Sequence, residues 1–270
     1  MFKFGTRTYI MGILNVTPDS FSDGGDYFDL EDAIYRAQQM VEQGADIIDI
    51  GAESTRPGAE KVSAKEEIKR LKPVIKAIKD KVSIPISIDT YKPEVAKAVL
   101  EMGVDIINDV WGLQWDEKMA EVVAEYDIPI IIMYNARGNK ERTSIMEAMT
   151  DFLNRSIKLA KEAGVKDGNI ILDPGVGFGT TQEENLEIMR NISELKNLGY
   201  PVLLGTSRKS MIGRILDLPP KERVEGTVAT TVMGIMQGVD IVRVHDIKEN
   251  LRAAKVTDAI VRKNNLELKI

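Results

Sequence analysis

The side chains best suited to chemistry in this sequence stand where apolar runs end: Asn15, Thr55, Asp89, Asn108, Asp173, Lys209, Arg243 and His245. Asp89, Asn108 and Asp173 offer two carboxylate acceptors and an amide that donates and accepts, and Lys209 adds a cationic donor. Such a set suits a flat heterocycle carrying amino and ring N–H groups, a guanine- or pterin-like edge whose paired donors meet a carboxylate. Arg243 and His245 are two residues apart and share one face of a strand. With Asn15 they could hold a diphosphate bridged by Mg²⁺, an ion that commonly relies on few protein ligands.

Each of these residues also has a plainer reading. An Asp or Asn after a strand is often a helix N-cap. A cap belongs one to three residues beyond the strand, however, whereas Asp89, Asn108 and Asp173 close their apolar runs, where a carboxylate must find a donor or a ligand. Arg243 could instead form an ion pair with Asp246 or Asp49, and His245 could be a satisfied core residue.

Positioning these groups requires a repeating frame. Strands are predicted at Tyr9–Val16, Asp46–Gly51, Pro85–Asp89, Asp105–Val110, Pro129–Met133, Ile170–Asp173, Pro201–Gly205 and Asp240–Val244. Each is a short apolar run, as in parallel strands buried on both faces. Helical periodicity falls between them, at Leu30–Gln43, Ala64–Lys81, Pro93–Met102, Lys118–Tyr126, Ile145–Ala163, Glu183–Leu198, Lys221–Gln237 and Ile247–Lys263. Strand and helix alternate throughout, which predicts an α/β fold: a single (βα)8 TIM barrel over residues 1–270, with the polar strand ends at its C-terminal mouth. An open doubly wound sheet would want a Gly-rich turn after the first strand, and Asn15-Val16-Thr17-Pro18 is not one. Two long loops, Asn15–Leu30 and Gly51–Ser63, read as lids, or more plainly as surface loops. Gly175-Val176-Gly177-Phe178-Gly179 lacks the dinucleotide spacing and reads as a tight loop bringing Phe178 to the mouth. The methionines read as core filler.

The totals narrow the function classes. The chain has 270 residues, 43% hydrophobic and 29% charged, a length that suits one barrel. It has no Cys and one His, which argues against a disulfide framework, a thiolate nucleophile or a zinc site. A net charge of −6 argues against a nucleic-acid or acidic-membrane partner. With no signal peptide or membrane span legible, a cytoplasmic setting is expected.

These residues also carry a family likeness. Asn15-Val16-Thr17-Pro18-Asp19-Ser20-Phe21-Ser22-Asp23-Gly24-Gly25 and Asp49-Ile50-Gly51-Ala52-Glu53-Ser54-Thr55-Arg56-Pro57-Gly58 resemble the first two signatures of the dihydropteroate synthases. Asp173-Pro174-Gly175-Val176-Gly177-Phe178, Ser207-Arg208-Lys209-Ser210 and Arg243-Val244-His245-Asp246 resemble the later ones. The resemblance implies a folate-biosynthesis transferase, the target of sulfonamides, that joins 6-hydroxymethyl-7,8-dihydropterin diphosphate to p-aminobenzoate and releases pyrophosphate. It implies that Asp89, Asn108, Asp173 and Lys209 hold the pterin in a slot lined by Val110, Met133 and Gly205. Asn15, Arg243 and His245, with Thr55, would hold the diphosphate and Mg²⁺, Asn15 being the metal ligand. Arg56, Pro57, Phe178, Lys209 and Ser210 would border the p-aminobenzoate pocket. Asp89, Asp173, Lys209 and Asn15 are then the candidate catalytic residues. A homodimer through the late helices is implied as well. Where many members carry His, this chain has Tyr134, which cannot become cationic near neutral pH. Two other readings remain open: a pterin-binding methyltransferase module passing a methyl group from methyltetrahydrofolate to a corrinoid protein, and a non-catalytic pterin-binding protein.

Overall fold

The structure, a computed structural model, describes residues 2–16, 25–54, 60–138, 142 and 144–262. Thr55, Arg56 and Pro57, with residues 17–24 of the first predicted loop, lie outside the described residues. The order is β1 (Tyr9–Asn15), α1 (Gly25–Glu42), β2 (Ile47–Gly51), α2 (Ala64–Lys79), β3 (Ile86–Asp89), α3 (Pro93–Leu100), β4 (Ile106–Asp109), α4 (Lys118–Tyr126), β5 (Ile130–Met133) and α5 (Ile145–Glu162). Then come β6 (Ile170–Asp173), α6 (Gln182–Arg190), α7 (Ser193–Lys196), β7 (Leu203–Leu204), α8 (Ser210–Leu216), α9 (Val224–Met236), β8 (Ile241–Val244) and α10 (Ile247–Val261).

All strand pairs are parallel, in the order β6-β5-β4-β3-β2-β1-β8-β7. A parallel bridge between Leu172 and Val202 joins β6 to the β7 side and completes the ring. The expected (βα)8 barrel is therefore observed, with strand bounds close to those read from the apolar runs.

Strand alternation sorts the core into two layers. Ile48, Ile50, Ile88, Ile107, Ile130, Ile132, Leu172, Leu204, Val242 and Val244 face outward and pack against the helices. The residues between them, Tyr9, Met11, Ile47, Ile106, Ile131, Ile171, Leu203 and Ile241, form a separate cluster inside the barrel. Phe2 and Phe4 close its lower end against Tyr9, with ring centroids at 4.9 and 5.9 Å from the tyrosine ring. Two residues further along each strand, the inward position becomes polar on β2, β4, β6 and β8: Asp49, Asn108, Asp173 and Arg243.

The helices depart from the periodicity in three places. The expected Glu183–Leu198 helix divides into α6 and α7 at Asn191, whose φ/ψ of −120/20 leaves the helical region and whose side chain donates to the Glu187 carbonyl at 3.0 Å. α8 was not foreseen; it is a short helix stopped by Asp217 in the left-handed region. α9 begins at Val224 after a 3-10 turn over Pro220–Glu222, later than expected. Across the first long loop, the chain is already helical from Gly25.

Candidate active site

Register brings the polar strand ends together. In parallel pairing, register partners point to one side of the sheet. Asn15 pairs with Gly51 and Gly51 with Asp89; Asp89 pairs with Asn108, and Met133 with Asp173. Gly51 is where the first two approach: a Cβ there would stand 3.6 Å from Asp89 Cβ and 3.8 Å from Asn15 Oδ1. Gly205 does the same on the far side, where a Cβ would lie 3.8 Å from Arg243 Cβ and 3.9 Å from Asp173 Oδ2. The two glycines keep the mouth open between the charged side chains.

Arg243 is the hub. Its Nε donates to Asp49 Oδ2 at 2.6 Å and a terminal nitrogen donates to Asp89 Oδ2 at 3.0 Å. The ion pair with Asp49, the plainer sequence reading, is thus real, whereas Asp246 pairs with Arg208 instead. Two bonds do not exhaust a guanidinium with five donors, so Arg243 can still meet an anion. Burial opposes its charge, but Asp49, Asp89 and Asp173 outweigh that and hold its pKa above the ordinary value.

The three buried carboxylates respond differently. Burial pushes Asp89 up to about 7, Arg243 opposing and Asp49, Glu67 and Asp109 adding to the rise. Asp173 is also raised by burial, against the pull of Lys209 and a 2.7 Å bond from the Gly175 N–H. That bond closes a turn after β6, whereas the cap of α6 is Thr181, so Asp173 is not the N-cap of the plainer reading. Asp109, next to Asn108, is raised by burial to about 6 while accepting from the N–H groups of Trp111 and Leu113, at 2.8 and 2.7 Å. It points away from the set and shapes the loop.

Lys209 reaches the site from a strained turn. Arg208 before it has φ +59, held by its bidentate pair with Asp246 and by its N–H on Thr227 Oγ1 at 3.1 Å. Lys209 Nζ donates to the Val176 carbonyl and lies 4.8 Å from the centre of the Phe178 ring. Burial pushes its pKa down to about 8, with Asp173 resisting. Phe178 packs with Tyr91, Val110, Met133 and Trp111 at the mouth, as expected of the tight glycine loop. Ser210 is exposed at the start of α8.

His245 is half-buried, its Nδ1 3.0 Å from Ser207 Oγ, and the same oxygen accepts the His245 N–H at 3.1 Å. In the tautomer in which the hydroxyl donates to Nδ1, Nε2 carries the proton and can donate. Tyr134 is excluded from the set: it faces outward into the helix layer, its ring 5.3 Å from Phe152.

Sequence reasoning missed Asp49 as a hub, Ser207 as the holder of His245, and a rim cluster of Glu53, Glu67, Tyr91 and Lys92. Asp49 was findable, since it lies two residues before Gly51 on the inward side of β2. The rim cluster joins a loop, a helix and a strand end, and no local pattern signals it.

The comparisons agree with this geometry. A family model described as pterin binding enzyme matches residues 11–245. A dihydropteroate synthase of Clostridium beijerinckii is 59% identical over 263 residues, covering 97% of each chain. The chain belongs to the pterin-binding enzymes, among the dihydropteroate synthases. A Clostridium difficile dihydropteroate synthase, crystallised in the presence of pteroic acid, superposes with a TM-score of 0.95 at 59% identity, covering 97% of this chain and 100% of that one. A Xanthomonas albilineans dihydropteroate synthase with 4-aminobenzoic acid gives 0.90 at 37% identity, covering 95% and 94%. The chain is accordingly a transferase that forms 7,8-dihydropteroate and pyrophosphate from the pterin diphosphate and p-aminobenzoate. The corrinoid-methyltransferase and non-catalytic readings are set aside.

Proposed function

We propose that the inward ring of strand ends divides the dihydropteroate synthase reaction among its residues. Asp89, Asn108, Asp173 and Lys209 hold the pterin, with Val110, Met133 and Gly205 as its slot. The observation that carries this is the buried Asn108 Oδ1, which has no hydrogen-bond partner among the described residues and stands among carboxylates that accept from Arg243, Asn108 and the Gly175 N–H. A ring edge rich in N–H groups supplies the missing donors.

Arg243, His245 and Asn15, with Thr55, receive the diphosphate at the junction of β8 and β1. The described residues hold no cluster of three His, Asp or Glu side chains that could cage a metal. Asn15 Oδ1 beside Gly51 offers a single neutral oxygen, which fits a Mg²⁺ held largely by the diphosphate and water. When bound, the ion would offset the charge that builds on the leaving diphosphate. Arg243 and the Nε2 of His245 would donate to the same oxygens. The bond from the pterin methylene to the diphosphate oxygen breaks, and the electron pair leaves with pyrophosphate. The pterin, held by Asp173 and Asn108, shares the positive charge developing at the methylene. The neutral aromatic amine of p-aminobenzoate then attacks, and the acidic ammonium formed on its nitrogen gives up its proton to the released pyrophosphate or to water, so no strong base is needed. Arg56, Pro57, Phe178, Lys209 and Ser210 would border that acceptor, and diphosphate binding would precede ordering of its pocket.

The exposed apolar side chains of α9 and α10, Met233, Met236, Val256 and Ile260, support a homodimer through the late helices, since the two helices pack side by side. No helix among the described residues is long and apolar enough to cross a membrane, and we place the protein in the cytoplasm. A coupled pyrophosphate-release assay tests the whole reading: release must require Mg²⁺, the pterin diphosphate and p-aminobenzoate together. Silence with all three present overturns it.

A further inference from the structure

We propose that Asp49 is a positioning residue that sets which arm of the Asn108 amide the substrate meets, and thereby makes the pocket select a ring edge that donates hydrogen bonds. The inference rests on the reading that Asn108 contacts the pterin.

Asp49 is fully buried on the inward side of β2, and Asn108 is 3% exposed at the same side of β4. The strand between them, β3, presents Ser87 at the register position shared by Asp49 and Ile106. Because Ser87 is small, Asp49 can reach across β3 on the diagonal: Asn108 Nδ2 donates to Asp49 Oδ2 at 3.2 Å. Arg243 Nε donates to the same oxygen at 2.6 Å.

Oδ2 is thus the acceptor in both contacts. Asn108 must therefore turn its NH₂ toward Asp49, and its carbonyl oxygen becomes the free arm. That oxygen is buried and has no donor among the described residues. A free amide would present either arm at little cost. Here the choice is made by a residue one inward position below Gly51 on β2. The same carboxylate fixes the Arg243 guanidinium, so one side chain orients both a pterin contact and a diphosphate contact.

The test is a swap of polarity across the pair. Asp49→Asn is isosteric and frees the Asn108 amide to turn. Affinity is measured by equilibrium binding for the pterin diphosphate and for an analogue with a 2-oxo group in place of the 2-amino group. Asp49→Asn is expected to weaken the pterin diphosphate about tenfold and to reduce its preference over the oxo analogue about tenfold. The double variant Asp49→Asn/Asn108→Asp places a carboxylate above an amide; it restores an outward acceptor and recovers the preference. Thermal melts report folding separately, and a ratio of affinities on folded protein is not imitated by lost stability. If the single variant does not fold, the double variant alone decides by recovering or failing to recover the preference. Unchanged selectivity in Asp49→Asn, or equal weakening toward both ligands with no recovery in the swap, overturns the proposal. Asn108→Leu separates the two readings. If it leaves pterin affinity intact, the pterin role of Asn108 falls and this inference with it. If it abolishes affinity while Asp49→Asn has no effect, only the role of Asp49 falls.

Discussion

Arg243 at the barrel axis and Lys92 at its rim are each clasped by two carboxylates, yet the two clusters are finished to different degrees. At the rim, Lys92 Nζ donates to Glu53 and, at 2.5 Å, to Glu67 Oε2, while Tyr91 OH donates to Glu53 Oε1 at 3.0 Å. Glu67 is 1% exposed, and burial raises its pKa despite Lys92. Among the described residues, neither of these carboxylates has a buried oxygen lacking a partner. At the axis, Asp49 Oδ1 and Asn108 Oδ1 are both buried with no partner among the described residues. A completed polar network rigidifies a structure, and an incomplete one in a buried place calls for a ligand. The rim cluster ties the start of the β2 loop to α2 and to the end of β3. The axial cluster keeps acceptors open, as the proposed pterin site requires.

That contrast predicts opposite consequences for removing each cation. Lys92→Met leaves two buried carboxylates facing each other and should cost about 3–5 kcal/mol of stability, read as a lowered urea midpoint. Lys92→Arg should recover most of it, and pterin affinity of the folded variant should hold. Next in size is Lys209→Ala. Loss of a charged donor to the substrate should weaken pterin diphosphate binding by about 2–3 kcal/mol, on the order of 10²-fold. Its stability should stay equal or rise, because burial already depresses this ammonium. A large stability loss in Lys209→Ala, or a large affinity loss in Lys92→Met, would erase the distinction between the clusters.

The axial cluster was legible in the sequence where the comparison is sharpest. Asp89, Asn108 and Asp173 close apolar runs, and a period of two puts all three on the inward side together with Arg243. What the sequence withheld was pairing between strands. That Asp49 serves Asn108 across β3 depends on register and on the small Ser87, both of which are tertiary facts. The rim cluster was illegible because Glu53, Glu67 and Lys92 fall in three elements with no shared period. Helix ends were misread where a side chain bonds its own backbone, as Asn191 does between α6 and α7. α8 was missed because it spans only Ser210–Leu216, too short for periodicity to register.

The axial groups should also shape the pH profile. Asp89 must be ionised to accept from the pterin, and its pKa is raised to about 7, so kcat/KM for the pterin diphosphate should climb as pH rises through that value. Lys209 donates best when charged, and with its pKa lowered to about 8 the same parameter should fall as pH passes that value. The profile should be bell-shaped with a narrow top. Asp89→Asn should flatten the acid limb and Lys209→Met the alkaline one, each at reduced activity. If both limbs survive both substitutions, other groups control the profile.

The smallest effect is expected at Tyr134, which separates the inner layer from the outer one. Its hydroxyl is buried with no hydrogen-bond partner among the described residues, as are the axial oxygens, but it lies on the helix side of β5 beside Phe152. In the proposed assignment an orphaned polar atom in the inner layer is open to substrate, whereas one in the outer layer meets only packed side chains. Tyr134→Phe removes the hydroxyl and keeps the ring, so it should leave stability unchanged or raise it by about 1 kcal/mol. Both KM values and kcat should stay at the parent level. Tyr134→His puts a smaller, more polar ring in the same apolar layer and should cost about 1–3 kcal/mol, again without a kinetic signature. A change in either KM on Tyr134→Phe would mean that orphaned atoms on the two sides of β5 are not functionally distinct, and the layer an atom occupies would no longer tell a substrate contact from a packing defect.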